Sequence, residues 1–166
     1  MKIATRHRVR KLCLVIGLGA LITDMGSMVL NWLFPPDRYV VLRKESPTRR
    51  YVALLEELNG GATTSFEYNI YVQSPGQPFT KKVFVGFLYG AVRNTFAYGV
   101  DLDWPSDNTL RVQYWRARAT RIPSSVVRLD DQVIHIQVCP GIENDDAPRG
   151  GMFYALQKQR RAPDGR

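Results

Sequence analysis

The chain has 166 residues, 45% of them hydrophobic and 23% charged, with 10 prolines, 13 glycines, 2 cysteines, 2 histidines and a net charge of +8. That length suits one domain, at most one plus an appendage. The composition excludes collagen-like, wholly disordered and disulfide-dense chains, and leaves little material for a metal cluster or catalytic triad.

Residues 1–11 carry Lys2, Arg6, Arg8, Arg10 and Lys11 with no acid. The end of the chain from Met152 carries Lys158, Arg160, Arg161 and Arg166 against Asp164, which with Asp24 counted leaves +1 for residues 35–151. A nucleic-acid binder concentrates basic charge on its folded face. Here the excess sits at the two ends, so no nucleic-acid partner is expected. Arg43/Lys44, Arg49/Arg50 and Arg116/Arg118/Arg121 read as a solvated rim.

Leu12 to Phe34 is a run of 23 residues with Asp24 as its one ionisable group. About 20 apolar residues span a bilayer as a helix. Pro35-Pro36 would stop it, because proline lacks the N–H donor and clashes with the preceding turn. The basic flank predicts a cytoplasmic N-terminus and an exported remainder. The rival reading is a cleaved signal peptide with Leu12–Ile22 as its apolar core. No good small-x-small cleavage site follows it: Gly17-Leu18-Gly19 falls inside the run, and Met25-Gly26-Ser27 puts a large residue first.

Taken as a helix, the run gathers Thr23, Asp24, Ser27 and Asn31 within an arc of about 100°, flanked by Gly19. Small residues let helices approach closely and polar ones bond across the contact. A carboxylate at mid-membrane costs roughly 2.5–3.5 kcal/mol on the insertion scale. Two readings follow: an interface with another helix through Gly19, Thr23, Asp24, Ser27 and Asn31, or a lone anchor that slides until Asp24 reaches the headgroups.

Residues 35–142 read as a mainly β domain, a small antiparallel β-sandwich or open barrel of six or seven short strands. Tyr39–Leu42 starts the series. The segment 51–58 is ambiguous. Tyr51, Leu54, Leu55 and Leu58 have helical spacing, with Gly60-Gly61 as a stop, while strand alternation there is weaker. Gly61, Thr63 and Thr64 make a small, hydroxyl-rich loop, either an anion nest or a bulge that needs small residues.

Phe66, Tyr68, Ile70 and Val72 alternate with polar or amphipathic neighbours, the mark of a half-buried strand. Val83–Leu88 is a continuous apolar run, predicted to be buried on both faces. Val100, Leu102 and Trp104, a turn over Pro105–Asn108, then Leu110, Val112 and Tyr114 predict a hairpin that places Asp101 and Asp103 opposite Arg111. Val126–Leu129 and Val133–Val138 predict a second hairpin, turned at Asp130-Asp131.

Three stretches carry a resemblance: Ser46-Pro47-Thr48-Arg49-Arg50-Tyr51-Val52-Ala53, Gly61-Ala62-Thr63-Thr64-Ser65-Phe66 and Trp104-Pro105-Ser106-Asp107-Asn108-Thr109-Leu110. They resemble a group of small, uncharacterised bacterial membrane-anchored proteins. The group shares a basic N-terminus, one hydrophobic segment, an S-P-D-G-K-Y-like turn, a G-A-T-T loop and a W-x-x-D-N-x-L hairpin. The likeness covers roughly residues 40 to 140. It departs at Thr48-Arg49, where Asp-Gly would be usual. The resemblance implies a strand at 51–57, a bacterial inner-membrane location and no particular activity.

His135 and Cys139 have no metal-ligating or triad partners in the pattern, and Glu143-Asn144-Asp145-Asp146 lacks the spaced ligands of a calcium loop. No catalytic residue, cofactor or metal is therefore expected. Residues 143–166 read as an acidic loop and a basic, disordered tail. The expected function is a non-catalytic binding or accessory module that meets a membrane or envelope protein. The alternative is a membrane-anchored, immunity-type inhibitor of a toxin.

Overall fold

Alternation at Phe66–Val72 becomes a central strand. The computed structural model describes residues 37–61 and 64–161, without the Phe79 side chain. The basic segment 1–11, the run 12–34 with Gly19, Thr23, Asp24, Ser27 and Asn31, and Thr63 lie outside the described residues. Among those described, no helix is long and apolar enough to cross a membrane.

The fold is mainly β. The first sheet holds β1 (Asp37–Glu45), β2 (Val52–Asn59), β3 (Glu67–Gln73), β4 (Val83–Tyr89) and β7 (Ala119–Arg121), in the order β1-β2-β3-β4-β7 and antiparallel throughout. The second holds β5 (Asp101–Ser106), β6 (Thr109–Tyr114), β8 (Val126–Leu129) and β9 (Gln132–Pro140), in the order β5-β6-β9-β8.

Residues 51–58, the ambiguous segment, form β2. Val52 and Leu54 on one face are buried as deeply as Ala53 and Leu55 on the other. A strand covered on both faces needs apolar residues at both parities, and that hides the period of two. The helical spacing of Tyr51, Leu54, Leu55 and Leu58 is a by-product. β4 departs from expectation in the opposite sense. Its Phe84 is 46% exposed, beside Tyr71 of β3, so the strand is not buried on both faces.

Both predicted hairpins form. In the first, Leu102 pairs with Val112 and Asp103 with Arg111. In the second, Val127 pairs with Ile134 around the turn at Asp130 and Asp131. The sheet that joins them is not antiparallel, however: β6 runs parallel to β9, Leu110 beside Ile136 and Val112 beside Val138. Parallel neighbours need a crossover between them. Here the chain leaves β6 for the other sheet, forms β7 there, and returns through β8.

The two sheets bury one common core. Leu55, Tyr68, Ile70, Val85 and Leu88 come from the first, and Leu102, Trp104, Leu110, Val112, Ile134 and Ile136 from the second. Each such aliphatic side chain contributes about 1.5–3 kcal/mol by leaving water.

The end of the chain corrects the sequence reading. Met152–Arg161, assigned there to a disordered tail, is a helix, α1. Met152 and Ala155 are buried and Leu156 and Phe153 pack on the core. Four apolar residues on one stripe face the core, and Tyr39 of β1 stacks flat on Phe153 with ring centroids 3.4 Å apart. Met152 thus extends the core past the expected boundary at 142.

Candidate functional site

Gly61 and Thr64 bond within their own stretch of chain. Asn59 Oδ1 accepts the Gly61 N–H at 3.0 Å, and Gly61 O accepts the Thr64 N–H at 3.2 Å and the Thr64 hydroxyl at 3.3 Å. Gly61 sits at φ 93°, a conformation that glycine adopts without a Cβ penalty. Gly61 and Thr64 are exposed, but their donors turn inward to the chain.

The stretches 46–53 and 104–110 meet in space. In the turn 46–51, Ser46 O accepts the Arg49 N–H at 2.8 Å, and Ser46 Oγ accepts the Tyr51 N–H at 3.2 Å. Arg49 takes a left-handed φ of 59°, so the turn forms with arginine where a glycine would be easier. Asp107, from the β5–β6 turn, accepts the Thr48 N–H at 2.8 Å. That bond holds the Asp107 carboxyl below the usual aspartate range. The Trp104 indole N–H donates to Lys44 O at 3.1 Å, and its ring lies 6.3 Å from that of Tyr51. The two motifs therefore form one seam between the sheets.

A second polar centre lies at the opposite end of β1. Glu57 is 1% exposed on the inner face of β2. Its Oε2 accepts the Tyr68 hydroxyl at 2.8 Å and the Met152 N–H at 2.7 Å; Oε1 accepts the Phe153 N–H at 3.3 Å. A helix leaves its first N–H groups without partners and carries partial positive charge there. Glu57 satisfies both needs from another element. Burial, then the neighbouring Glu57 charge, pushes the Tyr68 phenol far above its ordinary pKa.

Beside this centre, buried Arg93 reaches Asp101 at 3.4 Å. Asn144 donates to Asp101 Oδ2 at 2.9 Å, and its own N–H meets Arg93 O at 2.8 Å. Asn94 Nδ2 donates to the carbonyls of Asn144 and Ala147. The 143–147 segment is thereby fastened to the loop after β4. Arg93 Nε is buried without a partner, in the space left by Gly99, where a Cβ would stand 2.7 Å from it.

On the outer face of the first sheet, Lys82 lies 3.6 Å from Glu56 and 3.5 Å over the Tyr71 ring. Burial lowers the Lys82 pKa although Glu56 opposes the shift. His135 is exposed on β9, Cys139 is a free, partly buried thiol, and among the described residues no three His, Cys, Asp or Glu side chains could hold a metal ion. Arg116 covers Trp115 at 4.0 Å and Arg49 approaches Glu45 at 3.7 Å.

Glu57 and Arg93 escaped sequence reasoning. One signal was present for the first: an acid pair, Glu56-Glu57, set inside an apolar run. No family model, no curated protein and no solved structure matches this chain.

Proposed function

We propose that this is a single-pass membrane protein whose β-domain, a two-sheet sandwich held on the exported side, is a non-catalytic binding module for an envelope protein. The reading rests on one observation: an apolar run of 23 residues, Leu12–Phe34, follows a basic flank and ends three residues before β1 begins. The uses of the buried polar groups add support. Glu57 caps a helix, and Asn94 and Asn144 join two loops, which are tasks of a stable recognition scaffold.

Two measurements test it. A phosphatase that works only when exported, fused after Arg166, should be active, and a fluorescent protein that fails outside the cytoplasm should stay dark. The reverse pattern, or a mature chain that starts near residue 28, sinks the reading. Crosslinking in native membranes followed by pull-down should then recover an envelope protein. Recovery of a toxin would favour the inhibitor role instead.

The polar arc is part of the same proposal. Single cysteines along 12–34, in a Cys13→Ser background, should crosslink from the face of Gly19, Thr23, Asp24, Ser27 and Asn31. Equal yields from all faces would reduce the segment to an anchor.

A further inference from the structure

We propose that the outward stripe of α1 is a seat for an anionic lipid surface, an inference that rests on the membrane-anchored reading above. Three observations carry it. First, chain length fixes which end of the domain lies near the bilayer. Three peptide steps separate Phe34 from Asp37, a reach of at most about 11 Å. Second, α1 stands at that end. Phe153 stacks on Tyr39, two residues into β1. Third, the exposed side of the helix has the right chemistry. Tyr154, Lys158 and Arg161 recur at i, i+4 and i+7, all exposed, with Tyr154 57% so. Arg160 adds a further cation, and α1 contains no acid. Tyrosine seats at the headgroup level, and lysine and arginine meet anionic lipid through long, flexible stems.

The alternative for such a stripe is simple solvation. Its position decides against that: a helix with no acid, docked by four apolar residues beside the point where the chain would leave the membrane, presents its cations where an anionic surface would lie.

The test uses the full chain in lipid nanodiscs, in a Cys13→Ser/Cys139→Ser background. A fluorophore goes on Gln157→Cys, between Tyr154 and Arg161 on the helix surface. A control goes on Arg50→Cys, in the turn at the far end of β1. Discs contain phosphatidylglycerol or only phosphatidylcholine, with a quencher on the lipid headgroup. In anionic discs, quenching at position 157 should exceed that at 50 several-fold. It should fall by about tenfold in Lys158→Glu/Arg161→Glu, and equally in high salt with the native residues, which needs no variant to fold. Equal quenching at 157 and 50, or no difference between the two lipids, overturns this inference alone. A chain that does not enter the discs overturns the anchored reading and this inference with it.

Discussion

Glu57 accepts the N–H of Met152 at 2.7 Å across 95 residues of chain, so the second strand of the domain caps its last helix. The bond is buried and charge-assisted, the class of hydrogen bond whose removal costs most. Glu57→Gln keeps the volume but turns one acceptor into a donor that faces the helix N–H groups. It should lower stability by about 1.5–3 kcal/mol in urea titrations and speed amide exchange at 152–156 before the rest of the domain. Unchanged exchange there would show that the helix holds by its apolar stripe alone.

Tyr68, bonded to the same carboxylate, makes a pH prediction. Its phenol is raised above the ordinary value of about 10 by burial and by Glu57. The unfolded chain therefore loses this proton first as pH rises. The stability due to Tyr68 is complete below about pH 10 and drains as pH climbs from there toward the folded-state pKa, by up to about 1.4 kcal/mol per unit. Tyr68→Phe should flatten that slope relative to the native chain. Comparing the two removes the titrations they share.

Trp104 is 7% exposed and bonded to Lys44 O. Trp104→Ala should cost about 3–5 kcal/mol, and Trp104→Phe less, since it keeps the stack on Tyr51 and loses only the indole donor. A cost below about 1 kcal/mol for alanine would remove the seam from the core.

In the same seam, the Asp107 carboxyl should titrate below the usual aspartate range, with the Thr48 amide shift following the same midpoint in NMR. Because that pKa is depressed in the folded state, its contribution is present above about pH 4 and lost as pH falls through the lowered value. An ordinary midpoint, or a Thr48 amide blind to it, would break the link between the two turns.

Arg49→Gly should stabilise the domain by up to about 1 kcal/mol. It relieves a left-handed residue, and the gain is reduced by the freedom glycine brings to the unfolded chain. The exposed pair with Glu45 contributes little. A loss of stability on melting would mean that the arginine side chain matters to the turn.

Strands whose two faces differ were legible in the sequence. The β5–β6 and β8–β9 hairpins alternate because one side meets the core and the other meets water, and β3 alternates in chemistry although Asn69 and Gln73 on its second face are buried too. β2 was not legible by alternation, since both its faces are covered. β7 was invisible: Ala119, Thr120 and Arg121 are all exposed and carry no pattern. The parallel pairing of β6 with β9 is a choice among partners that no local spacing records. The C-terminal helix was missed because its basic residues outweighed a stripe of four apolar ones. Of the candidate site residues, Gly61 and Thr64 sit in the expected loop, while Glu57 and Arg93 depend on partners from distant elements.

Gly86 has a consequence out of proportion to its size. A Cβ there would stand 2.5 Å from the Arg121 carbonyl oxygen and 2.7 Å from the Ile122 side chain. The bare backbone of β4 is thus the berth for β7, the one stretch through which the chain passes between β6 and β8. Any side chain at 86 would force that stretch to shift, and its pairing with Phe87, Leu88 and Tyr89 would be disturbed. One absent methyl group in the first sheet thereby makes room for the chain on its way between two strands of the second.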